Sequence, residues 1–177
     1  MRFIRVEAIV EDGWHKGYSL DPELYLSELP AIQSDLPEGA RRFALDEDHY
    51  NFYGSRCIKD LKLAEAWLTD RNDSVCLEIR FAPNQFKHDQ GLAIRYADVV
   101  EFSTSITAEP RKSNVRPDTR RLGDVQLDEI LPHEKGFSHE VQMTGGSLWI
   151  VAGDLSYEWV DSPQLADEKV MEGPGKA

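Results

Sequence analysis

Residues 75–82 alternate without a break, with Val75, Leu77, Ile79 and Phe81 on one parity and Cys76, Glu78, Arg80 and Ala82 on the other. A period of two belongs to a strand with one face on a core and one toward water, because successive side chains leave the backbone on opposite sides. A helix could not gather those four apolar residues on one stripe. The same parity runs through Leu61, Leu63, Glu65 and Trp67 ahead of an Asp70-Arg71-Asn72-Asp73 turn. It resumes at Leu92, Ile94 and Tyr96, and again at Val100, Phe102, Thr104 and Ile106.

Further strand signals lie at Val125, Leu127 and Leu131, at Val141 and Met143, from Leu148 to Ala152, and at Leu155, Tyr157 and Trp159. Thr144-Gly145-Gly146-Ser147 reads as a tight hairpin turn, since glycine supplies the positive φ such turns require. Gly153-Asp154 reads as a bulge or kink. Seven or eight strands with hairpin punctuation and no βαβ alternation give a mainly β fold, with α+β left open. The architecture expected is an antiparallel sandwich or barrel-like sheet.

The N-terminal part supplies what helix there is. Residues 2–10 read as a first strand ending at Glu11-Asp12-Gly13, and a Gly-bounded loop, Gly13 to Gly17, presents Trp14 and His15. Asp21-Pro22-Glu23 has the composition of a helix start, with Pro30 and Pro37 keeping the helix short. A second helix from Glu38 to Leu45 is weakened by Gly39. Residues 1–161 then form one β-rich domain with 11–57 as a helical and loop cover, and residues 162–177 a flexible acidic tail. The expected core includes Val6, Leu63, Trp67, Val75, Leu77, Ile79, Phe81, Leu127 and Trp159. Cys76, inside a strand, is expected to behave as a small buried hydrophobe.

Charge narrows the partners. The 177 residues hold 32 Asp and Glu against 20 Lys and Arg, for a net charge of −12. Such a surface repels phosphates and anionic membranes, so neither nucleic acid nor membrane is expected as a partner. The early charges of Arg2, Arg5 and Glu7 do not fit a signal peptide, and no apolar run approaches the roughly 20 residues that span a bilayer. A cytoplasmic protein is the expectation. Two cysteines give neither a disulfide framework nor a C-x-x-C metal or redox pair. G-x-G-x-x-G, Walker and G-x-S-x-G patterns are absent too. No cofactor is expected, a divalent metal being the one exception considered.

Four places could carry function. Residues 131–140, Leu-Pro-His-Glu-Lys-Gly-Phe-Ser-His-Glu, read as a polar turn. His133, His139 and Glu140 there, with Asp154 on a following strand, have the imidazole and carboxylate chemistry of a transition-metal site or a metal-dependent enzyme. Ser138 and His139 are adjacent and so point to opposite faces, which argues against a nucleophile–base pair. In the 46–53 segment, Asp46, Glu47 and Asp48 precede Phe52 and two tyrosines. The aromatics are expected to anchor the segment while the acids stay in water.

Residues 21–49 concentrate the acidity, with eight carboxylates against Arg41 and Arg42. An inhibitor of a basic enzyme, of the immunity-protein type, would present such a face to steer and clamp its target. Arg116, Arg120 and Arg121 lie in a basic loop that could contact an anion. The leading expectation is a non-catalytic binder of a basic protein partner through Asp46, Glu47 and Asp48. A metal-dependent enzyme or metal-binding protein stands second. A small-molecule binder with a sandwich or barrel cavity lined by Trp and Tyr stands third. An antiparallel sheet also leaves an edge open to pairing in a dimer.

Overall fold

The structure is a computed structural model that describes residues 1–71, 73–107 and 121–161. The acidic tail expected at 162–177 lies outside the described residues. Among those described, ten strands form three antiparallel sheets, joined by two short helices. The chain is a mainly β, sandwich-like protein, as the period-two parity requires. Strands β1 (Arg5–Glu11) and β2 (Trp14–Asp21) form a two-stranded ribbon. Helices α1 (Glu23–Ile32) and α2 (Glu38–Ala44) follow, separated by a 3-10 turn over Gln33–Asp35. Strands β3 (Lys62–Arg71), β4 (Ser74–Ala82), β5 (Gly91–Ala97) and β10 (Asp154–Val160) make one sheet, in the order β10-β5-β4-β3. Strands β6 (Glu101–Ile106), β7 (Val125–His133), β8 (Gly136–Met143) and β9 (Gly146–Ala152) make the other, in the order β6-β9-β8-β7.

The two four-stranded sheets are parts of one kinked ribbon. β5 runs into β6 through Asp98, which takes a positive φ of 53°, and β9 runs into β10 through Gly153. The Gly153 amide donates to the Ala97 carbonyl at 2.9 Å, so the bend keeps its hydrogen bonds as the strands change sheet. A Cβ on Gly153 would meet the Cβ of Asp98 at 3.0 Å, tighter than most real contacts. The expected kink is therefore a close crossing of two strands.

Leu77, Ile79, Phe81, Leu92, Ile94 and Tyr96 from one sheet meet Leu127, Ile130, Phe137, Val141 and Ile150 from the other in a single buried cluster. Burying each such side chain contributes roughly 1.5–3 kcal/mol relative to leaving it in water. The helices close one side of this sandwich. Tyr25 and Leu29 of α1 and Ala40 and Phe43 of α2 are buried in the same cluster.

Several expectations need correction. Trp14 to Gly17 is not a loop but the start of β2, with a bulge opposite Ile9 and Val10. Pro30 lies inside α1, whose end is set by the 3-10 turn after Ile32. Residues 131–140 are not a broad polar turn: β7 and β8 continue to His133 and from Gly136, leaving only Glu134 and Lys135 to turn the chain. Gly136 has φ 123°, and a Cβ there would stand 2.4 Å from the Ala152 carbonyl oxygen, so no larger residue fits. Trp67 is 45% exposed and Cys76 is exposed, because both lie on the outward parity of their sheet. Among the described residues, no helix is long and apolar enough to cross a membrane.

Candidate functional site

Two carboxylates lie side by side in the otherwise apolar β7 run Leu127-Asp128-Glu129-Ile130, and strand parity sends them to opposite faces. Both are buried, Asp128 completely. An isolated buried carboxylate costs several kcal/mol, so each must be partnered. Asp128 receives His49 Nε2 at 2.8 and 3.0 Å on its two oxygens, and His139 Nε2 at 2.8 Å. Glu129 accepts the backbone amides of Arg2, Phe3 and Ile4 at 2.6, 2.6 and 2.8 Å, tying the start of the chain to the sheet.

Proton placement follows from these partners. The other ring nitrogen of His49, Nδ1, faces the Phe43 carbonyl at 2.8 Å, so both nitrogens meet atoms that only accept. His49 is therefore an imidazolium opposite the Asp128 carboxylate. His139 Nε2 donates to the Asp128 carboxylate at 2.8 Å, and its Nδ1 lies 2.8 Å from the Tyr96 hydroxyl, a group able to donate or accept. Burial alone would push His49 down, but the charge of Asp128 and the hydrogen bonds to both ring nitrogens outweigh it and hold the imidazole above its ordinary value. Burial alone would push Asp128 up, and the two imidazoles more than reverse that, leaving its carboxyl far below the usual range.

Tyr96, His139 and Asp128 stand in the order hydroxyl, base, orienting carboxylate that nucleophilic enzymes use. Tyr96 is 1% exposed and His139 and Asp128 are 0% exposed, so the three side chains are packed away from solvent. The network is an anchor. It fixes the segment that follows α2, because His49 and Tyr50 both end on Asp128: the Tyr50 hydroxyl donates to the Asp128 carbonyl at 2.7 Å.

That anchored segment carries the acidic turn. The Asp46 carboxylate accepts the Asp48 amide at 3.0 Å and the Tyr157 hydroxyl at 2.7 Å. Partial burial, with Asp46 alongside, pushes the Tyr157 phenol up to about 12. Glu47 is exposed, and Asp46 and Asp48 are half-buried. Between this turn and α1 runs a groove of about 350 Å³, with Leu26, Leu29, Leu45 and Tyr50 on its walls and Asp46 and Glu47 at its rim. Leu26 and Leu45 are 42% and 44% exposed. An apolar furrow under two carboxylates suits an apolar side chain flanked by lysine or arginine.

The four residues suggested for a metal are not brought together. His133 is exposed in its own turn, where Nδ1 accepts the Lys135 amide at 3.2 Å. His139 is committed to Asp128 and Tyr96 in the core. Glu140 faces away from it, toward the amino group of Met1 at 2.5 Å. Asp154 accepts the Gly39 and Ala40 amides at 3.1 and 3.0 Å, supplying the first turn of α2 with the acceptor that Pro37 cannot provide. Among the described residues, no group of three or more His, Cys, Asp or Glu could hold a metal ion. Arg116 and Arg120 of the proposed anion contact lie outside the described residues, and Arg121 is exposed at their border.

A second concave surface lies on the outward face of the β10-β5-β4-β3 sheet, with a volume of about 690 Å³. Arg80 stacks 4.8 Å from the centre of the Trp67 ring and donates to Glu78 at 2.7 Å. Arg95 joins Glu78 at 2.9 Å and Glu158 at 2.7 Å. Among the lining residues, Arg80 and Arg95 are matched in number by Glu78 and Asp154. A tryptophan and a tyrosine are also among them, Trp67 45% exposed and Tyr96 1% exposed.

Asp128, Glu129 and Tyr96 were not among the residues expected to matter. The signal was present as two adjacent acids inside a run of buried apolar residues, which demands partners. No protein-family model, curated protein or solved structure matches the chain.

Proposed function

We propose that the chain is a non-catalytic binding protein that receives a basic, apolar-tipped segment of a partner protein in the groove between α1 and the acidic turn. One observation carries this reading: the Asp46 and Glu47 carboxylates rim an exposed apolar furrow, and the buried Asp128–His49 pair holds that turn in place. A pre-positioned rim avoids the ordering cost a mobile acidic loop would incur on binding. The net charge of −12 adds long-range attraction for a cationic partner. An inhibitor acting on a basic enzyme would use the same surface.

The test is a titration with a peptide of alternating leucine and lysine, followed by fluorescence at low and high salt. The unmodified protein should bind with an association rate that falls as salt rises. A variant carrying Asp46→Asn, Glu47→Lys and Asp48→Lys should lose that binding. The side-chain amide oxygen left by Asp46→Asn can still accept the Tyr157 hydroxyl, so the turn keeps that tie. Binding that is absent, or unchanged in the triple variant, rejects the reading.

A further inference from the structure

We propose that the chain forms a two-fold dimer in which β3 pairs antiparallel with β3 of a second copy, on an axis through Leu68. The inference starts from the outer strands of the two four-stranded sheets. A bare edge offers a row of free N–H and C=O groups to any passing strand, and folded proteins normally blunt it.

β10 is covered by α2, which lies so close that a Cβ on Gly39 would fall 1.7 Å from the Leu155 carbonyl oxygen. β7 is capped along its length. The Tyr25 and Tyr50 hydroxyls donate to the Ile130 and Asp128 carbonyls, and Val125 exchanges hydrogen bonds with Asp60 and Leu61. β6 also has one described strand neighbour, β9, but the middle of its run, Ser103-Thr104-Ser105, carries no apolar side chain to bury.

β3 is different. Its backbone bridges to the other sheet at its first residue, where Lys62 pairs with Asp124, Leu63 packs against the shared core, and a bulge follows at Leu63 to Glu65. From Glu65 to Arg71 its sole described strand partner is β4. The middle of that run, Ala66-Trp67-Leu68-Thr69, has no charge, proline or bulge. Leu68 lies opposite Leu77 on the inward parity, yet it is 60% exposed while Leu77 is 1% exposed. An inward leucine left in water at a sheet edge is a core position lacking its neighbour.

The neighbour is identified by the run itself, Glu-Ala-Trp-Leu-Thr-Asp-Arg, which complements its own reverse about Leu68. Antiparallel pairing on that axis sets Leu68 against Leu68, Trp67 against Thr69 and Ala66 against Asp70. Glu65 falls opposite Arg71, residues of opposite charge, and each unlike pair occurs twice by symmetry. Aromatic–β-branched and opposite-charge pairs both favour a sheet. Moving the axis to Trp67 would set Leu63 against Arg71 and Ala66 against Leu68, losing the charge match. The pairing would join two four-stranded sheets into one of eight. It lies on the edge opposite β10 and α2, so it leaves the acidic groove free.

The experiment is sedimentation equilibrium of the full chain over a range of concentrations, with amide exchange of residues 66–70 measured alongside. The expected result is a species of twice the chain mass, with exchange at those amides slowing as the dimer fills. Leu68→Lys should give a monomer with the same circular dichroism spectrum. In a Cys76→Ser background, Leu68→Cys should form a disulfide-linked dimer under mild oxidant, since facing residues in an antiparallel pair come within disulfide reach. Ala66→Cys in that background should cross-link much more slowly, because Ala66 faces Asp70. A chain that stays monomeric throughout, a dimer that survives Leu68→Lys, or equal cross-linking at 66 and 68 would each overturn the proposal.

Discussion

Asp128 and Glu129 on β7 and Asp46, Glu47 and Asp48 on the turn after α2 are the same chemistry in opposite surroundings. The β7 pair is sealed from water, and each carboxylate is matched by several donors. The turn is largely in water, with Glu47 exposed. The two regions are physically joined, since His49 follows the turn directly and ends on Asp128. What separates them is the cost of losing a partner, which is large without solvent and small with it. A buried carboxylate therefore builds the scaffold, and an exposed one is free to meet something else.

Breaking the buried side should have the largest effect. Asp128→Asn leaves the His49 imidazolium without its counter-charge inside the core, and a broken buried pair costs about 3–5 kcal/mol. Urea unfolding followed by circular dichroism should show that loss. A loss under about 1 kcal/mol, the scale of an exposed ion pair, would mean the pair is not the anchor described. Glu129→Gln keeps one acceptor oxygen for three amides and should cost about 1–3 kcal/mol on the same assay.

The network should also give stability a shape in pH. Asp128 is depressed in the folded state, so its contribution is present above the ordinary carboxylate value of about 4 and is lost as pH falls through the lower folded value. His49 is raised, so its contribution is complete below the ordinary imidazole value of about 6.5 and is lost as pH rises through the higher folded value. Stability from this pair is therefore fullest between about pH 4 and 6.5. Unfolding midpoints measured across that range should form a plateau with a decline on each side. Asp128→Asn should flatten the alkaline decline, and a decline of equal size in that variant would assign it to other groups.

Tyrosine capping of β7 sits lower on the scale. Tyr25→Phe and Tyr50→Phe each remove one hydroxyl donor to a strand carbonyl, worth about 0.5–1.5 kcal/mol. Hydrogen exchange adds a sharper reading. Amides of residues 128–131 should open faster in both variants, while those of β4, which has strand neighbours on both sides, should not change.

Much of the frame was legible from parity alone. The strand at 74–82, the kink at Gly153 and the turn before Gly146 stand where local chemistry put them. Neither Gly145 nor Gly146 takes the positive φ expected of that turn, however, and Gly146 is required because a Cβ there would stand 2.0 Å from the Ser105 carbonyl oxygen. Gly39 shows where that reasoning stops. Helix propensity counts it as a weak point, but packing of α2 on β10 requires it, because only glycine lets the backbone approach the Leu155 carbonyl. The metal set failed for a related reason. His139, Glu140 and Asp154 are near in sequence, yet adjacent strand residues face opposite ways and Asp154 is drawn to a helix 115 residues earlier. His49 and Asp128 are 79 residues apart, and no spacing rule could have paired them.

The smallest expected effect sharpens the contrast most. Replacing Asp46, Glu47 and Asp48 together by Asn, Lys and Lys reverses the charge of the acidic turn. Its effect on stability should stay within about 1 kcal/mol, the scale of one net hydrogen bond. Asp46→Asn keeps one acceptor oxygen for the two donors, the Asp48 amide and the Tyr157 hydroxyl, that Asp46 takes on separate oxygens. Asp46→Asn retains an acceptor for the Tyr157 hydroxyl, and the interactions of His49 with Phe43 and Asp128 do not pass through the three side chains. Calorimetry of the triple variant should thus show a melting temperature close to that of the parent, alongside the loss of cationic-peptide binding. A melting temperature that falls as far as that of Asp128→Asn would make the turn part of the scaffold. The carboxylates would then be there to hold the fold, and the groove would have no spare charge to offer a partner.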